Sequence, residues 1–245
     1  MKLTVIGCWH GFPKEGQATS GYLLEQDGFR LLIDCGSGVV SHLQKYCAVE
    51  DLDAVILSHY HHDHVADIGV LQYARLFSTK LGKTNKVLPI YGHQLDEEKY
   101  KTLSYEPYVI SIPYEMDTPI NIGPFHFSFI KTNHPAPCAA MRINNGTHTV
   151  VYTADTAFFP ELVRFASDCD VLLTECSFFA EQSSPPGGHM NTTEVGILGT
   201  QARVKSLLLC HLPHFGDLNQ LKREVETYYK RDVKLATLGY NFELN

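Results

Sequence analysis

Short apolar stretches separated by turns dominate the chain. Runs such as Leu3–Gly7 and Phe29–Asp34 are bounded by glycine-containing turns, a pattern that predicts β-strands. The predicted strands are Leu3–Gly7, Tyr22–Glu25, Phe29–Asp34, Asp53–Leu57, Val87–Tyr91, Tyr108–Ile112, Phe125–Thr132, Cys138–Ile143, Thr149–Thr153, Asp170–Glu175, Ser206–Cys210 and Val233–Thr237. The chain therefore predicts a protein rich in β-structure.

Apolar residues at helical spacing interrupt this pattern and predict four helices. They are Gly38–Tyr46, Val65–Leu81, Thr192–Ala202 and Leu218–Tyr229. Asn191 or Thr192, followed by Glu194, forms a capping-box sequence at the start of the third helix. Strands followed by helices, twice along the chain, predict a mixed α/β fold with two sheets between helices. We find no repeat, low-complexity tract or linker and predict a single domain over residues 1–245.

The composition is that of an ordinary globular protein. Hydrophobic residues make up 44% and charged residues 19% of the chain, which excludes overall disorder. Lys and Arg number 20 against 27 Asp and Glu, and the resulting net charge of −7 argues against a general nucleic-acid binder. The 13 histidines stand out, because histidine is the commonest metal ligand.

The cysteines and the apolar runs bear on where the protein works. Seven cysteines without a C-x-x-C pair predict reduced, mostly buried thiols rather than a disulfide framework. The apolar run Leu3–Ile6 is too short for a signal-peptide core, and no stretch is long enough to span a membrane. We therefore expect a cytoplasmic protein with no membrane partner.

The densest chemical pattern is SHYHHDH, which directly follows the predicted strand Asp53–Leu57. It contains four metal-ligating side chains within six residues: His59, His61, Asp63 and His64. A regular strand would alternate their faces, so these side chains are expected to project from a turn at the end of the strand. The alternative, a solvated histidine-rich loop, is disfavoured because such a pattern seldom arises by chance.

Three further candidate ligands follow other apolar runs. His134, Asp155 and His211 each come directly after a predicted strand, which places them at the carboxyl edge of a sheet. Taken singly, each is more simply a hydrogen-bonding residue. Beside SHYHHDH, they supply the remaining ligands of a site with two metal ions.

Together these seven residues resemble the ligand set of the metallo-β-lactamase-fold hydrolase superfamily, over nearly the whole chain. The segments GCWHGFPKEGQATSGYLL and LLIDCGSG also resemble the opening of the ribonuclease Z, arylsulfatase and cyclic-phosphodiesterase branch. The resemblance implies an α/β fold of the αββα four-layer sandwich type, with the site along one edge of the two sheets.

The resemblance also implies how the ligands are shared. His59, His61 and His134 would hold one ion, Asp63, His64 and His211 the other, with Asp155 bridging both. A bridging position needs two oxygens, which suits Asp155. Two ions about 3.5–4 Å apart would share a hydroxide that acts as the nucleophile, and Asp63 is expected to orient it. Imidazole-rich ligands favour zinc, with manganese or iron as alternatives.

Other residues are candidates for proton transfer and positioning. His189 resembles a histidine that some members of the branch place beside the metals as proton donor to the leaving group. Glu175 either partners His189 or caps a turn, and the turn cap is favoured. Asp34 either accepts a hydrogen bond from a ligand histidine or only forms a turn. We expect His62 to face solvent or to support the ligands.

Differences between this sequence and its superfamily relatives limit the reactions that it is expected to catalyse. Two-zinc lactamases carry cysteine in place of Asp155, which disfavours a lactamase. Ribonuclease Z carries a tRNA-binding arm between the equivalents of His134 and Asp155, whereas only 20 residues separate them here. We therefore predict a phosphodiesterase acting on a small substrate: a cyclic nucleotide, a nucleotide-like diester or an artificial aryl phosphodiester. The alternative is a carboxyl-ester, lactone or thioester hydrolase.

Other functions and partners are less favoured. With its net charge of −7 the chain is not expected to process RNA. A non-catalytic metal-binding module is disfavoured because structural zinc sites are closed and usually rich in cysteine. By analogy with relatives, a homodimer is the expected assembly.

Overall fold

The computed structural model describes residues 1–182 and 187–244, and residue contacts divide the chain into two compact units. Unit 1 comprises Met1–Glu115, Ile122–Pro124 and the residues from Thr237 onward. Unit 2 comprises Met116–Asn121 and Phe125–Ala236. The organisation of residues 1–245 as a single domain stays a prediction.

Unit 1 is built on a seven-stranded sheet. Its strands are β1 (Lys2–Gly7), β2 (Gly21–Gln26), β3 (Phe29–Ile33), β4 (Ala54–Ile56), β5 (Leu88–Gly92), β6 (Val109–Pro113) and β14 (Asn241–Glu243). Their order across the sheet is β14-β1-β2-β3-β4-β5-β6. The strands from β14 to β3 pair antiparallel, whereas those from β3 to β6 run parallel. Consequently β3 and β4 end at the same edge of this sheet.

Helices cover unit 1's sheet and complete its core. They are α1 (Val39–Leu43), α2 (His62–Val65), α3 (Ile68–Lys80) and α4 (Glu97–Lys101), with a 3₁₀ turn at Val49–Asp51. Val39 and Leu43 of α1 and Leu71 of α3 join sheet residues such as Leu32 and Val55 in one buried cluster. Burial of these aliphatic side chains supplies the main driving force for packing the helices on the sheet.

A second seven-stranded sheet contains β7 (Ile120–Ile122), β8 (Phe125–Lys131), β9 (Ala139–Asn144), β10 (Thr149–Tyr152), β11 (Val171–Glu175), β12 (Ser206–Cys210) and β13 (Asp232–Leu235). The order is β13-β12-β11-β10-β9-β8-β7. The strands from β10 to β13 run parallel, while β8, β9 and β10 pair antiparallel. Since two reversals restore the direction, β8 points the same way as β10, β11 and β12, and these four strands end at one edge.

Three helices accompany this sheet: α5 (Pro160–Phe165), α6 (Thr192–Gln201) and α7 (Leu218–Tyr228). The predicted capping box of α6 is present. The Asn191 side chain accepts from the backbone N–H of Glu194 at 3.0 Å, and the Glu194 carboxylate accepts from the backbone N–H of Asn191 at 3.0 Å. Across the described ranges, every helix is too short or too polar to cross a membrane.

The structure confirms the mixed α/β class with two sheets and differs from the predicted elements in two respects. The predicted helix Val65–Leu81 is wrong at its start, because α2 ends at Val65 and α3 begins only at Ile68. Between the two helices the Asp67 carboxylate accepts a hydrogen bond from the backbone N–H of Val40 at 2.9 Å. This bond connects the residues between α2 and α3 to α1. The short elements α4, α5, β7 and β14 were not predicted.

Candidate metal centre

In unit 1, β4 leads directly into the predicted ligand segment. The segment predicted as a turn at the end of the strand contains a short helix, because α2 begins at His62. His59, Asp63 and His64 are buried, whereas His61 is exposed. Candidate ligand atoms of His59 and His61 lie within 4.8 Å of each other, and Asp63 Oδ2 lies 3.7 Å from His64 Nε2. Unit 1 therefore brings its four predicted ligands together in two close pairs.

Asp34 fixes the orientation of His64. It stands at the end of β3, and its Oδ2 lies 2.7 Å from Nδ1 of His64, with both side chains fully buried. An ionised carboxylate only accepts hydrogen bonds, so Nδ1 carries the proton and Nε2 carries the lone pair that a metal ion requires. That Nε2 faces Asp63 and lies 3.5 Å from Ser20 Oγ. Of the two interpretations of Asp34, contact with a predicted ligand histidine is confirmed.

Ser58 connects the same carboxylate to His59. Its backbone N–H donates to Asp34 Oδ1 at 2.7 Å and its hydroxyl donates to Oδ2 at 2.8 Å. Ser58 Oγ also lies 3.1 Å from Nδ1 of His59. Because the hydroxyl proton is directed at Asp34, the oxygen accepts from the imidazole N–H. One buried carboxylate thus sets the tautomer of two histidines.

The amino-terminal loops hold the ligand helix α2 in place. The backbone N–H of Gly11 donates to Asp63 Oδ2 at 2.8 Å, and the backbone N–H of Ser20 donates to the Asp63 carbonyl at 3.1 Å. A Cβ at Gly36 would lie only 2.0 Å from the Asp63 carbonyl oxygen, so the DCGSG segment approaches α2 more closely than any larger residue permits. These contacts explain why the glycine-rich segments accompany the ligand motif.

In unit 2, the other three predicted ligands follow strands that end at the same sheet edge. His134 follows β8, Asp155 follows β10 and His211 follows β12. Candidate ligand atoms of His134 and Asp155 lie within 4.8 Å of each other, and His211 Nε2 lies 3.5 Å from Asp155 Oδ1. Asp155 and His211 are each only 2% exposed. Asp155 therefore lies close to both predicted ligand histidines of this unit.

The carbonyl of Gly188 fixes the orientation of the His134 ring. Its Nδ1 donates to the carbonyl of Gly188 at 3.1 Å, which directs the lone pair to Nε2. Partial burial lowers the pKa of His134, although the nearby Asp155 carboxylate acts in the opposite direction. A lowered pKa keeps the imidazole in the unprotonated form that binds metals.

Ser177 repeats in unit 2 the role of Ser58. Its hydroxyl donates to Glu175 Oε2 at 2.8 Å, and its oxygen lies 3.0 Å from Nδ1 of His211. By the same argument the oxygen accepts from Nδ1–H, so the lone pair of His211 is on the Nε2 atom that faces Asp155. Each unit therefore contains a carboxylate–serine–imidazole chain.

His189 pairs with the buried carboxylate of Glu175. Nδ1 of His189 lies 3.1 Å from both carboxylate oxygens, and Glu175 is fully buried. The His189 ring stacks on His211, with centroids 5.2 Å apart and an interplanar angle of 23°, and meets His134 edge-on at 5.2 Å. Ligand atoms of Glu175, His189 and His211 all lie within 4.8 Å of one another. The structure thus brings the predicted proton donor against two predicted ligands.

Both interpretations of Glu175 hold at once. Besides His189, its carboxylate accepts from the backbone N–H groups of Thr156 and Met190, so it also caps the local turns. The preference for a turn cap alone was wrong. A single residue at the end of β11 therefore supports His189, Ser177 and two loops.

Ser58 and Ser177 contact the predicted site residues, and the sequence did not single them out. Each stands at a strand end beside a recognised residue, one position before His59 and two after Glu175. That adjacency was the available signal, but serine at a strand end is too common to be diagnostic. His62 is exposed, as expected.

Known proteins are similar to this chain over nearly its full length. The sequence family described as Anti-Pycsar protein Apyc1 matches residues 1–231. The probable metallo-hydrolase YhfI of Bacillus subtilis is 48% identical over 243 residues, covering 99% of this chain and 100% of that protein.

The structural comparison agrees. The crystal structure of the metallo-beta-lactamase fold protein YhfI from Bacillus subtilis matches with a TM-score of 0.98 and 47% identity, covering 99% of both chains. In sequence, a ribonuclease Z of Saccharolobus solfataricus is 22% identical over 292 residues, covering 98% of each chain. These similarities confirm the metallo-β-lactamase fold expected from the ligand motifs.

Proposed function

This chain belongs to the Anti-Pycsar protein Apyc1 family of metallo-β-lactamase-fold hydrolases, and on that premise we propose that it is a phosphodiesterase acting on small, cyclic nucleotide-like diesters. The observation that carries the proposal is the His189–Glu175 pair, packed against His134 and His211. Cleavage of a phosphodiester expels an alkoxide, which needs a proton as the bond breaks. His189 is placed to supply that proton.

We further propose that seven residues together hold two divalent ions: His59, His61, Asp63, His64, His134, Asp155 and His211. The donor chemistry supports this assignment. Four of the imidazoles direct Nδ1 to an oxygen, at Ser58, Asp34, Gly188 and Ser177, so each presents the lone pair on Nε2. Nitrogen and carboxylate donors without a thiolate suit zinc first and manganese second.

The protein residues divide the work around the bound ions. When bound, two such ions supply Lewis-acid activation of water and of the phosphoryl oxygen. Asp63, whose Oδ2 is fixed by the Gly11 N–H, orients the attacking water. Asp155 contributes two oxygens and is the bridging candidate. Glu175 accepts from Nδ1 of His189, so its Nε2 is the atom that gives a proton to the leaving oxygen.

The substrate class follows from chemistry and size. The name of the ribonuclease Z relative denotes cleavage of RNA, whose backbone is a phosphodiester. In this chain the connection between His134 and Asp155 is short and the net charge is −7, both of which disfavour a long polyanion. A small diester substrate is compatible with both the short connection and the negative charge. The burial of all seven cysteine side chains supports a reducing, cytoplasmic setting.

The test measures metal content and hydrolysis of bis(4-nitrophenyl) phosphate on one purified, chelator-free sample, followed by a panel of cyclic mononucleotides. We expect about two zinc or manganese ions per chain, with turnover lost on chelation and in Asp155→Ala. Asp117→Ala, which changes an exposed aspartate, serves as the matched control. Two bound metal ions together with turnover of carboxyl esters or thioesters alone would overturn the proposed phosphodiesterase activity. An active protein with less than one metal would overturn the metal centre.

A further inference from the structure

The connection between β1 and β2 is long for two strands that pair directly with each other. β1 ends at Gly7 and β2 begins at Gly21, so 13 residues, Cys8–Ser20, connect them, and we call this segment the β1–β2 loop. Hairpin connections usually have about two to five residues, and much longer loops in compact domains usually carry function. The β1–β2 loop is therefore a candidate binding element.

The β1–β2 loop has a defined conformation. At its base the backbone N–H groups of Cys8 and Trp9 both donate to the carbonyl of Ala18, at 3.1 and 3.3 Å. Nearer the tip, the Lys14 ammonium group lies 3.9 Å from the centroid of the buried Trp9 ring, which is a cation–π contact. The backbone N–H of Gln17 donates to the Lys14 carbonyl at 2.9 Å. These contacts hold the loop on both sides of its tip.

The tip of the β1–β2 loop contacts a proposed metal ligand of the same unit. The backbone N–H of Gly11 donates to Asp63 Oδ2 at 2.8 Å. Phe12 is the next residue, and since consecutive Cα atoms lie about 3.8 Å apart, its Cα lies within about 8 Å of that oxygen. The Phe12 side chain is nevertheless 61% exposed. A large apolar ring thus stands at the surface beside a residue of the proposed centre.

The residues around Phe12 restrict its backbone. Gly11 has a φ of +70°, and the backbone N–H of Phe12 donates to the His10 carbonyl at 2.7 Å, which closes a three-residue turn. Pro13 follows, and a proline restricts the residue before it to extended conformations. A ring carried on a restricted backbone loses little conformational entropy when a ligand covers it.

We propose that the ring of Phe12 is the platform on which the base of a cyclic nucleotide stacks. This inference rests on the proposed phosphodiesterase function and names the part of the substrate that the β1–β2 loop recognises. In such a substrate the ribose separates the base from the phosphate, so a phosphate at the metal ions leaves the base a sugar's length away. Aromatic side chains near a phosphate site bind bases through the flat face of the ring.

The exposed area of Phe12 fits a base better than a protein partner. A fully covered aromatic side chain buries about 150–250 Å², so a ring that is 61% exposed offers roughly 100–150 Å². A specific protein interface needs about 1,000 Å². The residues that follow Pro13 at the tip, Lys14, Glu15 and Gly16, are exposed and do not extend the apolar surface. One flat ring of this size matches one base.

Calorimetric titration of the zinc-supplied chain with two ligands that differ only in the base tests the proposal. The ligands are adenosine 5′-monophosphate and ribose 5-phosphate, and we expect the wild-type chain to bind the nucleotide more tightly. Phe12→Ala should weaken nucleotide binding by about 5–100-fold, the usual effect of removing a stacked aromatic ring, and should leave ribose 5-phosphate binding unchanged. Phe12→Tyr keeps the ring and should retain the affinity for the nucleotide.

Two controls separate stacking from other effects of the substitution. Val87→Ala shortens an apolar side chain that is 45% exposed and precedes β5, at the opposite edge of the sheet from the end of β4, and should change neither affinity. Trp9 is the single tryptophan of the chain. Its fluorescence emission should be the same in Phe12→Ala as in the wild-type chain, which shows that the β1–β2 loop keeps its conformation.

Kinetics distinguish failure of this inference from failure of the proposed function. On cyclic adenosine monophosphate, Phe12→Ala should raise KM and leave kcat nearly unchanged. An unchanged KM, equal losses of affinity for both titrated ligands, a wild-type chain without preference for the nucleotide, or a Phe12→Tyr variant as weak as Phe12→Ala would each overturn the platform. A chain that binds the nucleotide through Phe12 but hydrolyses no phosphodiester would overturn the proposed function while supporting the platform.

Discussion

The Oδ2 atom of Asp34 lies 2.7 Å from Nδ1 of His64, and neither side chain is exposed to solvent. A carboxylate in this position works through the imidazole, because it fixes which nitrogen carries the proton. Through Ser58 the same carboxylate reaches His59. The orientation of two proposed ligands therefore depends on one residue that is not itself a proposed ligand.

Replacement of Asp34 should weaken metal binding without touching a ligand. We expect Asp34→Ala to lower the metal affinity of the chain by about 10–100-fold, the usual effect of losing a hydrogen-bond partner behind a ligand histidine. Competition with a chromophoric chelator measures the affinity. Asp117→Ala, an exposed aspartate, controls for the change of charge. Unchanged affinity in Asp34→Ala would show that His64 is oriented by other contacts.

The corresponding test in unit 2 is Ser177→Ala. Removal of this hydroxyl separates Glu175 from His211 Nδ1, so we expect weaker metal binding and partial recovery in Ser177→Thr, which keeps the oxygen. Ser206→Ala is the control. It removes a hydroxyl at the start of β12 whose partner, the Asp232 carboxylate, is 3.4 Å away, and it should have little effect on metal binding. The chelator competition applies again. Equal affinities for Ser177→Ala and Ser206→Ala would refute the role of the serine.

The role of His189 predicts a dependence on the leaving group. His189→Ala should slow hydrolysis of an alkyl phosphodiester by about 10²–10⁴-fold, the range for loss of a general acid. Hydrolysis of an aryl diester should fall far less, because a phenolate leaves without a proton. Glu175→Gln should show the same selectivity to a smaller extent. Equal losses on both substrates, measured as kcat/KM, would remove the proton-donor role.

Buried thiols predict a loss of stability at alkaline pH. Burial raises the pKa of Cys8 and of Cys169 to about 12. A thiol whose pKa is higher in the folded than in the unfolded protein stabilises the fold below its unfolded pKa of about 8.5, and this contribution declines as pH rises towards 12. Urea unfolding should therefore give a lower free energy of unfolding at pH 10 than at pH 8.

Cys169→Ala isolates that thiol's contribution. The decline between pH 8 and pH 10 should be smaller in this variant than in the wild-type chain, even if its stability at pH 8 is reduced by the cavity. Identical slopes would mean that the Cys169 thiol does not drive the alkaline loss. Thiol-specific reagents should also label the native chain slowly, since all seven cysteines are buried.

Much of the architecture could be predicted because it depends on local pattern. The predicted strand Ser206–Cys210 coincides with β12, and the capping box of α6 is present as expected from Asn191 and Glu194. The ligand motif SHYHHDH was equally visible, since its chemistry is concentrated in seven consecutive positions. Such features need no knowledge of which distant segments meet.

The features that could not be predicted depend on distant contacts. Ser58 meets Asp34 across 24 positions and Ser177 meets His211 across 34, so no local pattern reveals either pair. The break between α2 and α3 similarly reflects the bond from Val40 to Asp67, across 27 positions.

Gly36 has only a hydrogen atom where other residues have a Cβ, and this leaves space for the backbone of Asp63. A methyl group there would displace α2 while leaving every proposed ligand chemically intact. A survey that scores only the proposed ligand side chains would therefore pass a Gly36→Ala chain as competent, although the helix that carries Asp63 and His64 would be displaced. Sequence searches for working relatives of this protein should require glycine at this position as strictly as they require the histidines.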